Sequence, residues 1–307
     1  MSAKHRSLDE VKTLIQGTEG FNSNQMAKFY DSWAPTYEQD INMLGYNLHP
    51  LLVDCLHANF SGNREAVQVL DVACGSGSVA KLMVELGFKN FVGVDCSKGM
   101  LEQAARLGIY QDLKLAVLGT NPLPAENGTF DVVILAGGLG EGFVPVSVLQ
   151  ELHNAAKPGG LIGLSKGAHS NSEGYTTDLD RELKRMVEEG LWSLVAAKEL
   201  DRYMKDPYVN TDKEEERFIR GTAYTSCSSS GGILRRSQAS QETVSPACRR
   251  SSPRPPTSGT CPEYLPRVAS RRHPKQMPEP PQLTPVDEEE QQLRVEPLLN
   301  LVTELHL

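Results

Sequence analysis

The sequence predicts an α/β fold in which a seven-stranded, mostly parallel sheet carries helices on both faces. Five apolar runs of strand length are separated by segments with helical spacing of apolar residues, and a glycine-paired turn follows the first run. Alternation of this kind favours parallel strands, because each helix returns the chain to the same edge of the sheet. We expect residues 192–203 and 221–225 to supply a final antiparallel pair of strands.

The first strand, over residues 69–72, contains Asp71 and is followed by a turn that holds Gly75 and Gly77. The turn leads into a helix whose apolar residues follow the i, i+3, i+4, i+7 spacing of one buried face, at Val79, Leu82, Met83 and Leu86. Glycines between a strand and a helix let backbone amides approach a nucleotide-like ligand. The turn therefore predicts a cofactor site.

The second strand, over residues 91–94, ends in Asp95. A carboxylate at this position can accept two hydrogen bonds from a ribose diol. Residues 75–80 also satisfy the dinucleotide pattern G-x-G-x-x-G/A, so an NAD-dependent oxidoreductase stays open at this point.

The remaining elements follow in the same alternation. Ser97 is the expected N-cap of a helix, and a third strand is expected over residues 113–118. A fourth strand is expected to end at residue 135. A further helix and the turn Lys157-Pro158-Gly159-Gly160 then lead to a fifth strand over residues 161–164. Five strands in this order predict a doubly wound sheet.

The spelling Asp71-x-x-Cys74-Gly75-x-Gly77 resembles motif I of class I S-adenosylmethionine-dependent methyltransferases, with Ala73 where that family more often has glycine. Residues 122–135 and 157–164 resemble later segments of the same family. Residues 29–40 and 201–204 are similar to the methyltransferase-like proteins encoded in the Williams-Beuren syndrome region. The resemblance implies a Rossmann-like fold, a methyltransferase activity, and S-adenosyl-L-methionine as methyl donor.

The resemblance also implies cofactor-binding residues. Gly75 and Gly77 would approach the methionine carboxylate, while Asp95 would hold the ribose hydroxyls. Asp71 would fix the turn or meet the amino group. The other expected contacts come from Cys96 beside the adenine and from Trp33 and Tyr37 in the N-terminal segment. Where many relatives carry an acid, Asn121 or backbone groups would take its place. Trp33 also belongs to an apolar helix face with residues 26, 29 and 30, so burial explains it equally well.

Three residues are weak catalytic candidates. Glu141 lies in a glycine-rich loop after the fourth strand, where open α/β sheets place ligands, but a solvated loop acid is the simpler interpretation. His153 shares a helical face with apolar residues, which favours a hydrogen-bonded core histidine. His169 follows the fifth strand and is equally undecided.

The chain is expected to have three parts: a flexible N-terminus over residues 1–20, a domain over residues 21–226, and a disordered tail over residues 227–307. The tail holds 12 of the 19 prolines and one aromatic residue, Tyr264, so it offers little apolar surface to offset the entropy of ordering. Residues 1–226 carry 21 Lys or Arg and 30 Asp or Glu, which argues against general nucleic-acid binding by the domain. The tail could dock a partner.

Cysteine spacing and the absence of targeting patterns favour an intracellular protein. The six cysteines form no Cys-x-x-Cys pair, so neither a disulfide framework nor a metal site is expected. No apolar run approaches the length of a membrane span. We expect a cytoplasmic protein, with nuclear access through the basic part of the tail, that methylates a small-molecule or protein acceptor. A dehydrogenase and a non-catalytic scaffold are the alternatives.

Overall fold

The computed structural model describes residues 6–168, 173–209 and 217–229. Its helices within these segments are α1 Leu8–Gln16, α2 Ser23–Trp33, α3 Tyr37–Leu44, α4 Leu48–Asn59, α5 Ser78–Glu85, α6 Lys98–Arg106, α7 Val148–Ala155 and α8 Glu173–Glu188. The strands are β1 Gln68–Val72, β2 Asn90–Asp95, β3 Tyr110–Leu115, β4 Phe130–Ala136, β5 Ala156–Gly167, β6 Trp192–Lys205 and β7 Phe218–Ser228.

The strands form one seven-stranded sheet in the order β3-β2-β1-β4-β5-β7-β6. The first five strands in this order are parallel. β7 pairs antiparallel with both β5 and β6. The predicted fold class is therefore confirmed, including the final antiparallel pair.

The third strand lies earlier than expected. It spans Tyr110–Leu115 rather than residues 113–118, and residues 116–118 continue beyond it. β3 is one of the two edge strands of the sheet, and its residues are exposed or half-buried. It therefore has fewer apolar residues than a central strand. The apolar pattern that we expected to mark the strand belongs partly to the buried residues Ala116 and Leu118 that follow it.

The N-terminal region is helical from Leu8, which corrects the expectation that residues 1–20 form a flexible segment. A capping box starts α1, because the Ser7 hydroxyl accepts a hydrogen bond from the Glu10 backbone N–H and the Glu10 side chain accepts one from Ser7. Val11 on this helix is fully buried. It packs in one cluster with Leu44 and with Tyr203 of β6.

Two further apolar clusters fill the two faces of the sheet. One includes β1, β4 and β5 residues together with α7 and Met186 of α8. The other joins the opposite faces of the same central strands to α4 and α5. Parallel strands buried on both faces need continuous apolar runs, which β1 and β4 have.

β7 continues to Ser228, and the backbone N–H of Ser229 bonds to Leu191, so the domain extends slightly past residue 226. The rest of the proposed tail lies outside the described residues. Within the described ranges, no helix combines the length and apolarity that a membrane crossing requires.

Candidate cofactor and acceptor site

A cavity of about 870 Å³, counting its open mouth, lies at the carboxyl edge of the parallel strands. Its floor comes from the loops after β1, β2, β3 and β4, and its roof comes from the N-terminal helices. Ligands of open α/β sheets bind at this edge, in the crevice where the strand order reverses. Here the chain passes outward in opposite directions from β1 and β4, which are neighbours in the sheet.

The glycine-paired turn after β1 forms one wall of the cavity. Gly75 has a left-handed φ of 54°, and an added Cβ would meet nothing within 4 Å, so its backbone is open to a ligand. Gly77 is left-handed as well and is the N-cap of α5, but it does not line the cavity. A Cβ there would lie 2.6 Å from Leu107, so this glycine serves packing. Ala73 shows that alanine is accommodated with a φ of 54°.

Asp95 lies on the cavity wall and ties two loops together. One of its carboxylate oxygens accepts the Gly75 N–H at 2.8 Å, and the other accepts the Ser97 N–H at 2.8 Å. Burial raises the pKa of Asp95, and these N–H donors oppose that shift. Cys96 also hydrogen-bonds to this carboxylate, so a ribose hydroxyl would share its two oxygens with these donors. Ser97 caps α6 through the Met100 N–H, as predicted.

Asp71 lies beneath the turn rather than on the cavity wall. It is 1% exposed, and its carboxyl accepts a hydrogen bond of 2.8 Å from the hydroxyl of Tyr110 on β3. Burial raises the pKa of Asp71 to about 7, the Tyr110 hydrogen bond opposes the shift, and the charge of Asp95 adds to it. This geometry suits the first of its two expected roles, fixing the turn.

Polar contacts hold the N-terminal roof against the loops. The Glu38 carboxylate on α3 accepts hydrogen bonds from the hydroxyls of Ser76 and Ser78 in the glycine turn. The Asp31 carboxylate at the end of α2 accepts the Ser97 hydroxyl at 2.7 Å and the Gly99 N–H at 2.9 Å. These bonds connect two roof helices to the two loops that flank the expected cofactor.

A second pair of contacts joins the roof to the loop after β4. The Ser23 hydroxyl donates to the Phe143 carbonyl at 3.2 Å. The Tyr46 hydroxyl lies over Gly137, where an added Cβ would come within 2.1 Å of it. Gly137 has a left-handed φ of 67°, so both its conformation and the close approach of Tyr46 require glycine.

Aromatic rings cover the roof side of the cavity. Tyr30 and Tyr37 line it and meet edge to face, with ring centroids 6.0 Å apart. Trp33 does not line it. Its indole lies behind Tyr37, with centroids 5.0 Å apart, and its N–H donates to the buried carboxylate of Asp40 at 2.7 Å. The apolar-face interpretation of Trp33 therefore accounts for its position, while Tyr37 lies where a cofactor contact was expected.

Of the other candidate residues from the sequence, some line the cavity and others do not. Cys96 lines the cavity, and burial raises the pKa of its thiol to about 12, so it is uncharged at neutral pH. Asn121 lies off the cavity and bonds to Val117, while residues 116–118 line the wall in its place. Glu141 is an exposed loop acid outside the cavity wall.

His153 lies at the wrong edge of the sheet for catalysis in this cavity. It precedes β5, next to residues that lead into the start of β4, and Nδ1 pairs with the Ser228 hydroxyl at 3.1 Å. A seven-residue strand at about 3.3 Å per residue separates that edge from the cavity by roughly 20 Å. His153 is the hydrogen-bonded core residue that its helical face indicated. His169 lies outside the described residues.

Several cavity residues were not expected from the sequence. The sequence places Tyr30 on an apolar helix face and indicates no contact for Tyr46, and His49 and Phe143 belong to no motif. The aromatic content of residues 21–46, which is high for helices that only cover a sheet, is a signal for Tyr30 and Tyr46. No such signal marks His49 or Phe143. The remaining contacts depend on how the N-terminal helices pack over the carboxyl edge of the sheet.

Comparisons with known proteins show which family the chain belongs to. Residues 69–160 match the family described as methyltransferase domain. Over 197 residues the chain is 42% identical to methyltransferase-like protein 27 of Homo sapiens, an alignment that covers 64% of this chain and 80% of that protein. The chain belongs to the class I S-adenosylmethionine-dependent methyltransferases. This methyltransferase thus has motif I in the turn that carries Gly75 and Gly77.

Two more distant proteins are also similar to the chain. A ribosomal protein L11 methyltransferase of Pseudomonas putida strain W619 is 35% identical over 147 residues, an alignment that covers 44% of this chain and 48% of that protein. The crystal structure of the [4+2]-cyclase SpnF aligns over 69% of this chain and 97% of its own, with 16% identity and a TM-score of 0.52. The SpnF likeness shows the fold alone.

The donor of this methyltransferase fits the cavity described. In S-adenosylmethionine the methyl group is bonded to a positively charged sulfur, which becomes a neutral thioether when the methyl group departs. The reaction therefore needs alignment and exclusion of water more than a dedicated acid. Gly75 offers open backbone and Asp95 offers carboxylate lone pairs on the same wall. The roof helices cover the cavity from above. The residues present therefore suit a sulfonium nucleoside.

Proposed function

We propose that this methyltransferase transfers a methyl group from S-adenosylmethionine to a small molecule that binds inside the cavity. The observation that carries the proposal is the roof: α2, α3 and the Tyr46 segment cover the carboxyl edge of the sheet and bond to the loops around it. An acceptor that binds under this roof must be small, because it shares the roofed cavity with the donor.

Cofactor contacts are assigned from the same geometry. Asp95 holds the ribose hydroxyls, the open backbone of Gly75 faces the methionine end, and Cys96 with residues 116–118 borders the adenine. Tyr37 closes over the donor from the roof. Gly77 and Asp71 shape the turn from behind, and Trp33 supports Tyr37.

Relatives support methyl transfer over the dehydrogenase alternative. The named curated matches include methyltransferase-like protein 27, ribosomal protein L11 methyltransferase and demethylmenaquinone methyltransferase. Their acceptors differ in class, since one name specifies a protein and another a small molecule. We choose the small molecule because of the enclosed cavity.

A labelled donor tests this proposal. The protein is incubated with S-adenosylmethionine carrying a tritiated methyl group and with a cell extract separated into small molecules and proteins. We expect label to enter the small-molecule fraction with the wild-type protein and to fall at least tenfold with Asp95→Ala. Label that enters only the protein fraction would replace the small-molecule acceptor with a protein one.

A further inference from the structure

His49 is a cavity residue that no motif assigns. It lies in the first turn of α4, lines the cavity, and packs against Tyr46 with ring centroids 4.7 Å apart at an angle of 60°. Tyr46 in turn lies over Gly137 at the end of β4. Tyr46 thus lies between His49 and the end of β4.

The wall around His49 carries no cationic side chain. None of the described residues that line the cavity is lysine or arginine. The lining is instead aromatic and apolar, with Tyr30, Tyr37, Tyr46, Phe143 and Met100. A carboxylate or phosphate on the acceptor would be buried without a cationic side chain beside it, which is costly. Flat uncharged rings pack well against such a wall.

The groups that face His49 leave it uncharged. Burial lowers the pKa of His49 to about 4, and the negative charge of Glu38 on α3 opposes that shift. Burial also raises the pKa values of Tyr30, Tyr37 and Tyr46, so these hydroxyls stay neutral. Asp95 and Cys96 border the cavity from the loop after β2. A neutral imidazole can accept a hydrogen bond and then a proton.

Resting on the proposed function above, we propose that the acceptor is an uncharged aromatic hydroxyl compound, and that His49 accepts the proton of its hydroxyl during methyl transfer. The acceptor oxygen forms a bond to the methyl carbon, and the carbon–sulfur bond breaks with both electrons remaining on sulfur. The hydroxyl proton passes to a ring nitrogen of His49, which later returns it to water.

The low basicity of His49 distinguishes a hydroxyl from an amine. A hydroxyl becomes strongly acidic as its oxygen is methylated, so even a weak base takes its proton. A methylated amine is a much weaker acid than the imidazolium of His49, so His49 would give no help there. The same side chain therefore favours oxygen as the nucleophile.

Binding of paired probes tests the acceptor class. Protein loaded with S-adenosylhomocysteine is titrated with phenol, benzylamine and benzoate, three one-ring probes of different charge at neutral pH. We expect phenol to bind at least tenfold more tightly than the other two and to shift the ring ¹⁵N resonances of His49. Equal or tighter binding of benzylamine or benzoate, or phenol binding without a shift at His49, would overturn the proposal.

Two histidine variants test the proton acceptor. His49→Gln should bind S-adenosylhomocysteine like wild type and methylate phenol or 2-naphthol about 10²-fold or more slowly, the lower range for a general base. His57→Gln, at an exposed position of the same helix, should match wild type. Unchanged turnover by His49→Gln would refute the proposal. Wild-type protein that methylates neither phenol nor 2-naphthol would refute it as well. Failure of wild type to bind S-adenosylhomocysteine would instead refute the proposed function.

Discussion

Asp95 is the residue on which two loops and the expected ribose contact converge. Asp95→Ala should weaken S-adenosylhomocysteine binding by about tenfold or more, since loss of a hydrogen bond to a charged group costs roughly 1.5–3 kcal/mol. It also leaves the Gly75 and Ser97 N–H groups without their acceptor. Calorimetric titration measures the affinity.

The matched control for this change is Asp112→Ala, which removes an exposed carboxylate from β3. Its affinity should equal that of wild type. Circular dichroism checks that both variants are folded. If folded Asp95→Ala binds as tightly as wild type, Asp95 does not hold the ribose.

Asp71 predicts a pH dependence of stability. Its pKa of about 7 lies above the value of about 3.9 in an unfolded chain, so the folded state binds the proton more tightly. The stability that this group contributes is fully present below pH 4, falls as the pH rises, and is lost once the pH passes about 7.

Asp71→Asn removes this titration and keeps an oxygen that can accept the Tyr110 hydroxyl. Relative to wild type, the variant should gain stability between pH 5 and pH 7 by about 1 kcal/mol or more, and the difference should level off above pH 8. Urea unfolding at each pH measures it. A difference that does not change with pH would contradict the burial of an ionisable carboxyl here.

At the scale of elements, contacts between residues far apart in the sequence hold the roof in place. Gly137→Ala should push Tyr46 out of place, because the added Cβ falls on the Tyr46 hydroxyl. A left-handed alanine costs about 1–2 kcal/mol by itself. The steric conflict should add about 1–3 kcal/mol. Thermal or urea unfolding measures the total.

Gly128→Ala is the matched control, since Gly128 has a similar φ of 64° but open space around its Cβ position. It should show the conformational cost alone. Adding Tyr46→Phe to Gly137→Ala should recover part of the extra loss, because it removes the hydroxyl that the methyl group meets. Equal losses for the two glycine variants would show that Tyr46 does not press on β4.

Sequence patterns predicted the sheet well because its central strands are apolar runs flanked by glycine turns. β1, β2 and β4 lie within one or two residues of their expected bounds. β3 was displaced because an edge strand has fewer apolar residues of its own. α1 was missed because its capping box encloses a short, largely polar helix.

The candidate site was predictable where motif spacing fixes it. Gly75 and Asp95 lie on the cavity wall because both follow strands that end at one edge. Tyr46 and His49 reach the same cavity from the chain that precedes β1, and Glu38 of α3 bonds to the glycine turn beside it. Their positions depend on long-range packing of the roof, which leaves no local spacing to read.

At the scale of the whole molecule, the domain should keep its cofactor site without the tail. Protein ending at residue 229 should bind S-adenosylhomocysteine within twofold of the full chain, because β7 ends at Ser228 and the described residues that line the cavity all precede it. Partners that the full chain captures through the tail should be lost. A tenfold loss of cofactor affinity would mean that residues beyond 229 contribute to the site.

The cytoplasmic and nuclear locations stay predictions.

Calorimetric titration of the purified full chain with S-adenosylmethionine, S-adenosylhomocysteine and NAD distinguishes the methyltransferase assignment from the dehydrogenase alternative. We expect micromolar binding of the two sulfur nucleosides and no binding of NAD, because the cavity carries motif I and Asp95 in a methyltransferase family fold. Binding of NAD alone would contradict the methyltransferase assignment. Binding of none of the three would leave the fold as a scaffold without its donor.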